Sequence, residues 1–207
     1  MTFESLIGFA GIVFVIAIIP GPNALLVLYT ALTKNRTMAL ANVGGVALGF
    51  IFHALISAFG LSILIAQSSV AFMMLKWIGV VYLVWLGLSN IKAGLSLKTL
   101  KIPESGNINN IMSHFIKGLL TNILNPKIIL FYLSIFPQFV SKDAVFRESI
   151  LLGGVQALVV SAWFLVVILL ARHFKVFLTN SNNARWLNFL SGGIFIAFSA
   201  RLATAKL

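Results

Sequence analysis

Apolar residues run along this chain in long blocks separated by short polar punctuation, at about 5–32, 38–66, 70–91, 114–140, 149–171 and 186–203. Spanning a bilayer takes about 20 mostly apolar residues, so each block predicts one transmembrane helix. The longest polar stretch, 92–113, contains Lys98, Lys101, Pro103, Gly106 and an Asn-rich tract, and it divides the chain into halves. The expected organisation is one transmembrane domain over 1–207, with a first repeat at 1–94, a connecting cytoplasmic loop at 95–113 and a second repeat at 114–207.

Two blocks contain helix breakers at depth. In the first, Pro20-Gly21-Pro22-Asn23 lies where nothing charged occurs between Glu4 and Lys34. Proline lacks a backbone donor and clashes with the preceding turn, so Pro20 and Pro22 are expected to free the carbonyls of Ile16 and Ile18. In the fourth, Asn125-Pro126-Lys127 interrupts the run. Unpaired backbone in hydrocarbon costs several kcal/mol per group, and a broken span is tolerated where protein or a water-filled cavity covers it.

The breaks are in register. Pro22 and Pro126 stand 104 positions apart, about half the chain, and each opens an apolar stretch. Gly44-Gly45 has a counterpart in Gly153-Gly154, and Gly79 to Tyr82 has one in Gly192 to Phe195. Three spans per half is an odd number, so the halves enter the membrane in opposite orientations, the inverted-repeat plan of many secondary transporters. The predicted fold is therefore all-α and polytopic: six transmembrane helices as two inverted three-helix repeats, with helices one and four broken.

Composition agrees with the pattern. Of 207 residues 60% are hydrophobic and 9% charged, against about 25% charged in soluble domains. The net charge of +11 could point to nucleic acid, but the fifteen Lys and Arg lie mostly between and at the ends of apolar runs. That distribution suits cytoplasmic loops held by positive charge, and no nucleic-acid partner is expected. The loops after spans one, three and five are the richer in Lys and Arg, which makes them cytoplasmic and puts both termini outside. The absence of cysteine excludes disulfides and thiolate chemistry. Met1 to Glu4 lacks the basic start of a signal peptide, so the first block is expected to be retained as a helix.

The candidate chemistry gathers at the breaks. Pro22 and Pro126 suit the first position of a helix, with Gly21 and Asn125 as N-caps. Each half would then present free amides and a positive dipole end at depth, suited to an amino-acid carboxylate. Freed carbonyls, that of Asn122 included, would suit an ammonium group. The alternative is that the prolines serve to kink the spans for packing; one kink would satisfy that alternative, whereas two in register argue against it.

Lys127 lies about 15 Å or more into its span, a costly place for a cation unless it faces water or a partner. It could pair with a substrate carboxylate or change protonation. His53, inside the second block, titrates in the physiological range, which suits proton coupling; a packing role is the alternative. Gly45 and Gly49 form a GxxxG pair, whose close approach serves internal packing or a homodimer. No carboxylate pair, metal cluster or nucleophile with its base reaches the apolar blocks, so neither an enzyme, a metal nor a cofactor is expected. A passive channel or a membrane-embedded interaction protein stays open on this reading.

Taken together, Pro20-Gly21-Pro22-Asn23, Gly44-Gly45 with Gly49, Leu75-Lys76-Trp77-Ile78-Gly79 followed by Tyr82 to Gly87, and Leu120-Thr121-Asn122 through Asn125-Pro126-Lys127 with Phe136-Pro137-Gln138-Phe139 resemble the LysE/RhtB family. The resemblance covers nearly the whole chain. It implies a bacterial inner-membrane exporter of small amino acids or derivatives, driven by the proton motive force. Basic amino-acid exporters of the family tend to have an aspartate after the span-two glycines. This chain has Gly49-Phe50 there, which places it nearer the neutral, homoserine, threonine and leucine type. The candidate substrate-binding residues are Pro20, Gly21, Pro22, Asn23, Gly45, Asn122, Asn125, Pro126 and Lys127, and the proton-coupling candidates are His53 and Lys127.

Overall fold

The described residues of this computed structural model are 1–67, 69–95, 110–141 and 143–204, and among them every regular element is helical. Most of the central polar stretch on which the division into halves rests, 96–109, lies outside them.

Each predicted block contains a helix or a broken pair. The first is α1 (Phe3–Ile18) and α2 (Pro22–Thr33), which bend by 57° at the break. The second and third are α3 (Arg36–Gln67) and α4 (Ser69–Leu95), and the fourth is α5 (Ile111–Ile123) and α6 (Pro126–Ser134), closed by a 3-10 turn at Phe136–Phe139. Then come α7 (Val145–Leu169), a short α8 (Ala171–Thr179) and α9 (Ser181–Thr204). These are the helices of a multi-pass membrane protein: Arg36–Gly60 and Val145–Leu169 are each long and apolar enough to cross a bilayer, and the bent α1–α2 pair makes a third as one broken span.

Local chemistry accounts for the ends. Thr2 Oγ1 accepts from Ser5 N–H at 3.2 Å to start α1, and Asn35 Oδ1 accepts from Met38 N–H at 2.9 Å to start α3. Asn110 does the same for α5, accepting from Met112 N–H at 2.9 Å. Two corrections to the sequence reading follow. The charged connection after the fifth block contains a helix of its own, α8, because Arg172 and Lys175 alternate with apolar Phe174, Val176 and Phe177 over the turns of an amphipathic segment. And Glu148, just ahead of the predicted block 149–171, is part of the span, buried in the first turn of α7, where its Oε2 accepts from Ser141 N–H at 2.7 Å.

Packing brings the two breaks together. α3 lies against α5 at backbone distance: a Cβ on Gly45 would overlap the Phe115 carbonyl, and one on Gly118 would overlap that of Asn42. α3 also packs on α7, and α4 on α9 through the facing Gly87 and Gly192. Phe9 of α1 meets Phe131, Phe136 and Phe139 at ring separations of 5.8, 5.9 and 5.3 Å. That aromatic cluster, of a kind worth about 0.5–1.5 kcal/mol per pair beyond its buried area, lays the middle of α1 beside the second half of α6 and the turn that closes it. The end of α1 therefore falls beside the start of α6, where both helices are interrupted.

Candidate functional site

The backbone at each interruption takes the expected form. Pro22 opens α2 with Gly21 as N-cap, and Pro126 opens α6 with Asn125 as N-cap. Asn125 Oδ1 accepts from Lys127 N–H at 3.1 Å, which satisfies one of the four donors that a helix start leaves unpaired. Gly21 has no side chain with which to cap, so no side-chain bond closes the start of α2.

From the second turn position of α6, Lys127 reaches back across the interface to the other break. Its Nζ donates to the carbonyls of Ile16 at 3.2 Å and Ile19 at 3.1 Å. The freed carbonyl of Ile16 is thus found as predicted, with Ile19 rather than Ile18 as its companion. No carboxylate lies within ion-pair distance of Lys127 among the described residues. Two neutral carbonyls are its hydrogen-bond partners. Gly21 makes room for this, since a Cβ there would stand 3.0 Å from Nζ.

Around this contact is a cavity of about 30 Å³ whose polar lining includes Asn23, Asn125, Lys127 and Gln156, with apolar walls from Val13, Ile16, Phe50 and Phe164. That is room for about two waters and less than a free amino acid needs. Asn23 Oδ1, Asn125 Nδ2 and Gln156 Oε1 are buried without a hydrogen-bond partner. Leaving a buried polar group unsatisfied costs about 1–3 kcal/mol, so three of them around one small, otherwise largely apolar cavity mark a place fitted for something polar.

The nine substrate candidates divide. Gly21, Asn23, Asn125 and Lys127 line this cavity. Pro22 and Pro126 are the first residues of the helices that frame it. Pro20 faces the other way, into an apolar cavity of about 240 Å³ shared with Leu25, Trp163, Val167 and Phe174. Gly45 packs α3 on α5 and is not among the lining residues. Asn122 sits one layer away, with its side chain against Gly49 and both of its side-chain polar atoms unpaired. Its carbonyl is met by the protein's own donors, with Asn125 N–H at 3.0 Å and His53 Nε2 at 3.4 Å.

His53 is buried on α3 and stacks on Tyr132, with ring centroids 5.1 Å apart at 26°. The Tyr132 hydroxyl in turn donates to the Phe50 carbonyl at 2.8 Å. His53, Asn122 and Asn125 thus form a polar path from mid-α3 to the α5–α6 break. Gln156, 3% exposed on α7, is the residue that sequence reasoning missed. The available signal was a lone amide within the apolar run 150–160. Asn42 was missed as well, and its Nδ2 donates to Thr30 Oγ1 at 2.7 Å, tying α3 to α2.

Comparisons with known proteins converge on one family. A family model described as LysE type translocator matches residues 14–206. The chain is 29% identical over 205 residues to an uncharacterized membrane protein, YrhP, of Bacillus subtilis, covering 96% of this chain and 98% of that one. It is 29% identical over 210 residues to a homoserine/homoserine lactone efflux protein of Salmonella typhi, covering 100% and 99%. With a threonine efflux protein of Escherichia coli K12 it shares 28% identity over 191 residues, covering 90% and 91%. No solved structure gives a significant match.

Proposed function

The chain belongs to the LysE type translocator family, and on that premise we propose that it is a secondary exporter of a small neutral amino acid or derivative, of the homoserine, threonine or leucine type. It works across the bacterial inner membrane by proton antiport. The carrying observation is the contact across the two breaks: an ammonium on freed carbonyls, inside a cavity walled by unpaired amide groups. A zwitterion needs both kinds of partner. Ile16 and Ile19 offer acceptors for its ammonium, while Lys127, Asn125 Nδ2 and the uncapped start of α2 offer donors for its carboxylate.

The names of the efflux relatives support the substrate class, and the described residues lining the cavity include no Asp or Glu, which fits a substrate with one cationic group rather than two. The transport cycle is alternating access between two inverted repeats of three spans each, with the loops after spans one, three and five cytoplasmic and both termini periplasmic. Helix pairing supports the repeat. α3 packs on α5 as α7 packs on α1, while α3 with α7 and α4 with α9 join each element to its counterpart in the other half.

His53, bonded through Asn122 to the second break, is the proton-coupling residue in this reading. His53→Ala is expected to lose accumulation driven by an imposed pH gradient and to keep substrate-for-substrate exchange. PH-driven uptake equal to wild type would remove His53 from the coupling path.

The deciding experiment reconstitutes the full chain into vesicles and follows labelled L-homoserine, L-threonine and L-leucine under an imposed pH gradient. Saturable, gradient-dependent flux of at least one is expected. Conductance without saturation would make the protein a channel, and the absence of flux for every member of the panel would end the exporter reading.

A further inference from the structure

The few polar groups on the largely apolar walls of the cavity are mostly acceptors, with Asn125 Nδ2 an unpaired donor among them. Besides the carbonyls of Ile16 and Ile19 there are Asn23 Oδ1 and Gln156 Oε1, both buried without a hydrogen-bond partner. Facing them is the ammonium of Lys127. It carries three N–H donors, and its two bonds to the carbonyls, at 3.2 and 3.1 Å, account for two of them. Gln156 Oε1 lines the same cavity and is not used by Lys127. A cation buried against neutral acceptors recovers part of its lost hydration but not all of it. Its hold on the site is therefore weak enough for an exchange partner with better hydrogen bonding to displace it.

The α-ammonium of a free amino acid is such a partner. It has the same charge and the same three donors as Nζ, and, being untethered, it can orient its third donor towards Gln156. We infer that the Ile16 and Ile19 carbonyls together with Gln156 Oε1 form a subsite for primary ammonium groups, which Lys127 occupies in this structure as a tethered stand-in for the substrate. This subsite rests on the substrate-site reading above and adds an order of events to it. The arriving ammonium displaces Nζ from the two carbonyls, and the displaced Nζ is then free to pair with the carboxylate of the same ligand. One exchange reads both ends of a zwitterion. It also accounts for the size of the cavity, which at about 30 Å³ holds water rather than an amino acid while Lys127 is in place.

The test uses the full chain purified in detergent and calorimetric binding of four probes: L-threonine, L-threonine methyl ester (ammonium without carboxylate), N-acetyl-L-threonine (carboxylate without ammonium) and n-propylammonium, which matches the part of the lysine side chain beyond Cβ. In Lys127→Ala the subsite is vacated, so n-propylammonium and the methyl ester are expected to bind at least about tenfold tighter than to wild type, and N-acetyl-L-threonine no tighter. Gln156→Leu retains Lys127 and is expected to weaken L-threonine and the methyl ester about tenfold while sparing N-acetyl-L-threonine.

Unchanged amine affinity in Lys127→Ala overturns the tether. Equal losses for all ligands in Gln156→Leu, or no loss, overturn the subsite, and this variant decides alone if Lys127→Ala does not fold. Wild type that binds L-threonine with neither variant behaving as described sinks this inference and leaves the exporter standing. Wild type that binds none of L-threonine, L-homoserine and L-leucine sinks both.

Discussion

Lys127→Met should reduce gradient-driven export in reconstituted vesicles by about 10²–10⁴-fold while leaving the folded protein intact. Methionine keeps most of the aliphatic stem and removes the ammonium. Two opposing effects then act on stability. The Ile16 and Ile19 carbonyls lose their donor, which costs about 1–3 kcal/mol for a buried group, but the desolvation penalty of a buried cation is relieved as well. Folding is therefore expected to change little. Transport is not rescued in the same way: whatever the substrate ammonium gains at the vacated carbonyls, its carboxylate entering the cavity would meet no cation. An uncompensated buried charge costs about 3–5 kcal/mol, which converts to the stated loss. The measurement is the initial rate of labelled uptake for whichever of L-homoserine, L-threonine and L-leucine wild type carries, normalised to monodisperse protein by size exclusion. A rate within twofold of wild type would show that Lys127 is a packing residue.

The local parts of this site were legible in the sequence and the long-range parts were not. Pro22 and Pro126 as first helical residues, and Gly21 and Asn125 as caps, follow from what those residues do to their own backbone. A free carbonyl at Ile16 follows in the same way. What fills it does not, since Lys127 stands 111 residues further on and nothing local specifies the meeting. The aromatic cluster of Phe9 with Phe131, Phe136 and Phe139 sets that meeting, and phenylalanine is too common in an apolar chain to announce it. Gln156 is silent in the sequence because a single amide in an apolar run carries no pattern of its own. α8 is hidden because Arg172 and Lys175 carry the charge signature of a connecting loop as well as the spacing of an amphipathic helix. Gly45 shows the converse, a motif correctly seen whose partner, α5, was not named by its spacing.

That glycine carries the second large effect. Gly45→Ala and Gly118→Ala should each destabilise the protein by about 2–3 kcal/mol, at the overpacking end of core substitutions. The added Cβ meets backbone in both cases, the Phe115 carbonyl from Gly45 and the Asn42 carbonyl from Gly118, and backbone within a helix cannot rotate aside. Relief requires α3 and α5 to separate. Separation would also loosen the Asn42–Thr30 bond and the approach of His53 to Asn122, so both breaks would feel it. Gly154→Ala on α7 is the control, because no atom beyond its chain neighbours and its own helix backbone lies within 4 Å of its added Cβ, and removing a glycine from a helix is neutral or slightly favourable. The reading is the unfolding midpoint in a detergent titration. Since Gly45 and Gly118 lie on one interface, the double variant should lose less than the sum of the two, the first having already parted the helices. If Gly45→Ala unfolds no more readily than Gly154→Ala yet fails to transport, then Gly45 acts on substrate after all and the close packing of α3 on α5 is not what the glycine serves.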